Sequence, residues 1–175
     1  MKFRFYHSII IVLLINNILI AGQGSAGAKF LQINTSTRGA ANAGTMVARP
    51  GLIDALSYNP ATTATLTGSN FVVHHSNYFV GMSFDYMSFT YNVPSFGTVS
   101  MGLLGLLSGD IEETTELQPL GTGRTFTAND FAGFVSFARS ISDKFSGGGT
   151  IKYVIQNIDK LTASGIAFDM GAIYK

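Results

Sequence analysis

From residue 70 to the end of the chain, apolar and polar residues alternate with a period of two, and no other feature limits the fold as much. Side chains on a strand point alternately to opposite faces, so this pattern gives strands with one greasy and one polar side. Six such runs can be drawn, at residues 70–75, 78–93, 97–107, 126–139, 145–157 and 163–175. Several reach the roughly 9–11 residues that a tilted strand needs to cross a bilayer, whereas strands in soluble sheets average about 5–6.

The last two runs show the facing most clearly. Ile151, Tyr153 and Ile155 share one side, with Thr150, Lys152 and Gln156 on the other. Ile166, Phe168, Met170 and Tyr174 are likewise separated from Asp169 and Gly171. If the apolar side meets lipid, every charge in these two strands lies inside, and a slip of one residue would expose Lys152 at a cost of about 2–4 kcal/mol near the bilayer midplane. Between residues 126 and 139, Phe131, Val135 and Phe137 face outward while Ala132, Ser136 and Ala138 face inward.

A hairpin turning between Lys160 and Leu161 would set Lys152 directly opposite Asp169 and pair them in the interior. Such a pair reads first as a salt bridge that satisfies the interior and only second as a clamp for a ligand. Around Asp85 the pattern is mixed. Val80, Met82, Phe84 and Tyr86 form one side, but Met87, Phe89 and Tyr91 continue on the other. Either a bulge shifts the phase, or Met87, Phe89 and Tyr91 make an inward apolar track against an apolar plug.

Connections at 94–96 and 140–144 are short, that at 108–125 is long and acidic, and that at 158–162 is intermediate. Short turns on one side and long loops on the other is the pattern of bacterial outer-membrane barrels. The chain lacks tryptophan, so Tyr78, Tyr86, Tyr91, Tyr153 and Tyr174 would have to supply an interfacial aromatic girdle.

Ahead of the strands the composition changes twice. Lys2 and Arg4, an apolar run over residues 8–21 and the small residues Ser25, Ala26, Gly27 and Ala28 read as a signal peptide over residues 1–28. Asn16 and Asn17 interrupt the apolar run, which is short of the ~20 residues of a spanning helix. Without Lys2 and Arg4, nine of the 11 basic residues stand against ten acidic ones, which makes nucleic acid an unlikely partner. Charged residues make up only 12% of the chain and hydrophobic ones 46%, so it is short of charge rather than unusually apolar.

Residues 29–69 form a plug-like segment without long alternation. Residues 29–33 are a short alternating piece; Ser36 or Thr37 opens a short helix ending at Gly44; Pro50-Gly51 marks a turn. Asp54 is placed to cap a second helix that Pro60 stops, and Asn59, preceding proline, is extended.

Residue types that carry chemistry are sparse. Cysteine is absent, which excludes thiol catalysis, disulfides and Cys-type zinc. His74 and His75 are strand neighbours pointing to opposite faces, so they cannot bind one metal. The 146–150 run Ser-Gly-Gly-Gly-Thr lacks a P-loop lysine, and no nucleophile elbow is present. Asp110, Glu112, Glu113 and Glu116 lack EF-hand spacing and read as a solvated acidic loop. The expectation is a non-enzymatic protein without cofactor or metal.

Arg38, Ala43 and Gly44, followed by Asp54-Ala55 and Asn59-Pro60-Ala61, resemble the N-terminal motifs of the PorV/PorQ branch of the FadL-like outer-membrane barrels, with Tyr58 where the family often has tryptophan. Gly149-x-x-Lys152-Tyr153 and the 165–174 stretch around Phe168-Asp169-x-Gly171 are similar to two strands of the same branch. The resemblance spans residues 29–175 and implies an all-β fold: the N-terminal part of an antiparallel transmembrane β-barrel, with a plug and the first six of some fourteen strands. It implies a site at Arg38, Gly44, Asp54, Asn59, Pro60 and Ala61, and location in the bacterial outer membrane in contact with its lipid.

Two roles follow from the resemblance: a component of type IX protein secretion that receives exported proteins, or a passive channel for long-chain fatty acids and other hydrophobic compounds. A channel would use Met87, Phe89 and Tyr91, with Leu103, Leu104, Leu106 and Leu107, as its apolar track. A soluble secreted β-sandwich is the remaining alternative.

Overall fold

The computed structural model describes residues 27–175, and the predicted signal peptide lies outside them except for Gly27 and Ala28. The fold is mostly antiparallel β. Six long strands form one sheet: β1 (Ser69–Asn77), β2 (Ser83–Val93), β3 (Gly97–Leu107), β6 (Ala128–Ser140), β7 (Phe145–Ile158) and β8 (Leu161–Tyr174). Two short strands, β4 (Ile111–Glu112) and β5 (Thr125–Phe126), make a separate hairpin inside the long connection after β3. Every long strand pairs with its neighbour in sequence, and β1 and β8 are the two edges.

Uninterrupted register carries the facing pattern across the whole sheet, because directly opposed residues share a face. One face is open: Phe71, Met101, Leu103, Val135, Ile151, Tyr153, Ile166, Phe168 and Met170 are all exposed on it. The other is covered by residues 28–68, which form a helix α1 (Thr37–Ala41) and a series of 3-10 turns at Lys29–Gln32, Ile53–Ala55 and Pro60–Thr65. The core lies between: Phe30 and Leu56 from this segment pack with Phe84, Tyr86, Leu104, Ala132, Phe134 and Val154 from the sheet.

Several expectations are corrected by this arrangement. No bulge interrupts β2, whose register against both β1 and β3 runs without a break. Phe84 and Tyr86 therefore point to the covered face throughout, and Met87, Phe89 and Tyr91 to the open one, where they are 41%, 39% and 48% exposed. They are not an inward track. Residues 78–82 are a turn and not strand, with Val80 at φ 57° and Gly81 at φ 73°. Residues 29–33 form a 3-10 turn and not a strand.

Tyr86 is 1% exposed, so of the proposed aromatic girdle only Tyr78, Tyr91, Tyr153 and Tyr174 reach the surface. The connection between β7 and β8 is a two-residue turn at Asp159-Lys160 rather than an intermediate loop. Loop lengths therefore sort only through the 78–82 and 108–127 connections.

Phe134 and Leu104 sit near the centre of the core, under Leu56. Truncating either to alanine removes buried methylenes and leaves a cavity, so Phe134→Ala and Leu104→Ala are each expected to cost about 2–5 kcal/mol. A melting-temperature loss for both, and little change for Met101→Ala on the open face in detergent, checks the assignment of faces.

Candidate functional site

The covered face and the segment over it hold Arg38, Gly44, Asp54, Asn59, Pro60, Ala61, Lys152 and Asp169, whereas Met87, Phe89 and Tyr91 lie on the open face; Asn59 joins the segment to the sheet. Asn59 is extended, at φ −158° and ψ 110°, as a residue before proline must be. Its side-chain Oδ1 accepts from the Ala61 N–H at 3.0 Å, capping the Pro60–Thr65 turn. Its Nδ2 donates to the Val47 carbonyl at 2.9 Å and across to the Ala172 carbonyl of β8 at 3.2 Å. One amide thus satisfies its own turn, a distant part of the segment and a strand of the sheet.

The sheet receives this group on two glycines. Gly148 of β7 and Gly171 of β8 are direct cross-strand partners. A Cβ at Gly171 would lie 1.9 Å from Asn59 Oδ1, and one at Gly148 would lie 2.9 Å from the Ala61 nitrogen and the Pro60 carbonyl carbon. Both glycines are there for close backbone approach, which explains why Asn59-Pro60-Ala61 occurs in one chain with glycines near the start of β7 and the end of β8.

A second contact joins the segment to β1. Asp54 does not cap a helix as expected; its Oδ1 lies 2.9 Å from His74 Nε2 and its Oδ2 3.5 Å from Arg38 Nε. Arg38 comes from α1, whose N-cap Ser36 accepts from the Gly39 N–H at 2.8 Å. The chain then reverses at Gly44, at φ 79°, where the Gly44 N–H bonds the Gly39 carbonyl at 2.8 Å. Asp54 so connects α1, its own turn and β1. His75, on the opposite face of β1, pairs instead with Asp85 of β2 at 2.6 Å. The two histidines therefore have separate partners, and among the described residues no group of three or more His, Asp or Glu side chains is placed to hold a metal.

Tyr58 packs over α1 and donates to Asn34 Oδ1 at 3.1 Å. Burial pushes its phenol above the ordinary value, with the Asp54 charge adding in the same direction and a hydrogen bond with Ser36 opposing. The group is a neutral donor at physiological pH.

Lys152 and Asp169 pair as predicted, at 2.6 Å, but by a different register. Asp169 stands opposite Thr150, and Lys152 opposite Ala167, because the turn is centred one residue earlier than expected, between Asp159 and Lys160. A shift of two keeps both on the same face, and the long lysine stem spans the diagonal. The Lys152 side chain is 10% exposed and that of Asp169 39%.

At the far end of the sheet, Arg124 bridges the β4–β5 hairpin to the β7–β8 turn through Glu113, at 2.9 Å, and Asp159. Asp159 first and Glu113 second push its guanidinium further into its charged range. Sequence reasoning did not single out Arg124, because neither carboxylate is near it in the chain. The same hairpin leaves Leu117 and Leu120 94% and 95% exposed.

Compared with family models, with curated proteins and with solved structures, the chain matches none.

Two outcomes are expected. Removing one partner of an ion pair is most costly where the remaining charge is buried. Asp169→Asn, which strands the Lys152 ammonium, should therefore lower the melting temperature more than Lys152→Met, which leaves a hydrated carboxylate. Gly171→Val should release the N-terminal segment, seen as faster proteolysis within residues 29–69 than in the parent chain, because its side chain occupies the place of the Asn59 amide.

Proposed function

We propose that the chain is a non-enzymatic outer-membrane protein of the PorV/PorQ type, forming a plug and the first six strands of a barrel, and that it acts in type IX protein secretion. The observation that supports this reading best is the contrast between the two faces of one sheet. Strands β2, β3, β6, β7 and β8 are 11–14 residues long, and over that length the open face carries large apolar side chains. Asp85 and Arg139 are the charged residues there, within two residues of the strand ends at Ser83 and Ser140, where they reach the headgroup region. The other face holds its polar groups under the segment with Asn59-Pro60-Ala61 at its centre. In lipid the edges β1 and β8 need partners, since unpaired backbone groups cost several kcal/mol each. A larger barrel, as in the PorV/PorQ branch, provides them.

The two roles implied by the resemblance are separated by particular residues. With Met87, Phe89 and Tyr91 on the lipid-facing side, the passive-channel role loses its track for hydrophobic compounds. The secretion role gains from the 108–127 loop, where Arg124 braces a hairpin that presents Leu117 and Leu120 to exported proteins.

Fractionation of the exporting cell tests the membrane reading. The chain is expected with the outer membrane and released by detergent, while recovery from the medium without detergent would point to a soluble β-sandwich. Capture of exported proteins should fall severalfold in a Leu117→Ser, Leu120→Ser double variant that still reaches the membrane. Unchanged capture would remove the secretion role while leaving the barrel reading intact.

A further inference from the structure

At the end of the sheet that carries the β6–β7 turn, the open face passes from apolar to basic. Arg139, near the end of β6, is exposed there and stands opposite Gly147 of β7, which in turn stands opposite Ala172 of β8. The Lys144 carbonyl in the turn accepts from the Lys175 N–H at 2.8 Å, so both lysines leave the backbone at this same corner. Among the described residues, the lysines and arginines held in ion pairs are Arg38, Arg124 and Lys152. Arg139, Lys144 and Lys175 have no such partner, and Asp143 is the one acid between residues 139 and 145. The opposite end of the sheet, with the 108–127 loop, carries Asp110, Glu112, Glu113 and Glu116 instead.

Beside the basic corner the open face has a trough. Gly147 and Gly149 are successive open-face positions of β7, so over about 7 Å of strand no side chain rises from it. Phe137 of β6 and Met170 of β8 stand on either side of Gly149. A Cβ at Gly149 would meet nothing closer than the Asp169 carbonyl at 3.6 Å, so the space above it is unfilled. Ile141 lies against Gly147 and adds an apolar wall, its Cδ1 3.5 Å from where a Cβ would be. Tyr174, 75% exposed and opposite Phe145, reaches the same corner.

We infer that this corner binds the phosphate headgroup of an anionic phospholipid, with one acyl chain lying in the trough over Gly147 and Gly149. The inference rests on the membrane reading of the open face and deepens it by naming the lipid. Arg139 offers the planar fork that suits phosphate oxygens, and Lys144 and Lys175 add point charges beside it. Basic side chains at the border of an apolar surface are matched by a molecule that is anionic at one end and apolar at the other. A soluble phosphate would leave the trough empty, and a neutral lipid would leave the cations unpaired.

The test uses the purified chain in detergent, titrated with phosphatidylglycerol, phosphatidylcholine or glycerol 3-phosphate, with native mass spectrometry counting the molecules retained. Phosphatidylglycerol is expected to be retained severalfold more than phosphatidylcholine, and glycerol 3-phosphate not at all. Arg139→Gln with Lys144→Gln and Lys175→Gln should bring phosphatidylglycerol down to the phosphatidylcholine level and leave the latter unchanged. Gly149→Phe, which fills the trough and keeps every charge, should lower phosphatidylglycerol retention severalfold. Equal retention of the two lipids by the parent, a preference that survives the triple change, or no effect of Gly149→Phe would each overturn the site while the membrane reading stands. Retention of glycerol 3-phosphate equal to that of phosphatidylglycerol would overturn the lipid assignment. A chain that stays soluble without detergent and retains neither lipid would remove the site together with the membrane reading.

Discussion

The architecture depends on how a short irregular segment is held against a long regular sheet. Regular strands satisfy their backbone groups through their neighbours, but residues 28–68 have only brief turns and must find partners elsewhere. Asn59 meets that need at the point of closest approach, with one amide shared between the Ala61 N–H, the Val47 carbonyl and the Ala172 carbonyl. Closeness is possible only because Gly148 and Gly171 have no side chain there. At the other side of the segment Asp54 repeats the strategy with charge, between Arg38 and His74. Between these two attachments Phe30 and Leu56 fill the apolar half of the covered face.

Covering one face changes what alternation means. Both faces of β2 are apolar in sequence, with Phe84 and Tyr86 on one and Met87, Phe89 and Tyr91 on the other. Nothing in a period of two says which set is covered, since that is decided by the residues of another segment that pack on it. The same indifference explains why facing was readable for β6, β7 and β8, where small or polar residues oppose large apolar ones, and why the role of the β2 side chains was not. The Lys152–Asp169 pair survived an error in the turn because a shift of two residues preserves face.

Local backbone conformation accounts for most of what sequence reasoning missed. Val80 adopts a left-handed φ that a β-branched residue rarely takes, so a run from Tyr78 to Val93 looked like one strand when its first residues turn. Asp159, also at positive φ, closes the β7–β8 turn in two residues, a conformation that aspartate tolerates but composition does not announce. The short strand pair at Ile111–Glu112 and Thr125–Phe126 is continued by backbone bonds of Glu113 with Arg124 and Thr122, and braced by Arg124 side-chain contacts with residues 11 and 35 positions away in the chain. By contrast, the cap at Ser36, the reversal at Gly44 and the extended Asn59 each follow from one residue and its neighbour, and each was legible.

The match between the covering segment and the sheet is uneven along the strands. At its small-residue end the covering segment is well matched to the sheet, with Asn59 seated on glycine. A few residues further along, the hydroxyls of the cross-strand partners Thr90 and Ser100 are buried against groups that do not bond them. Each unmatched hydroxyl costs about 1–3 kcal/mol relative to its hydrated state. The apolar contacts of Phe30 and Leu56 and the bonds of Asn59 are what hold the segment over them.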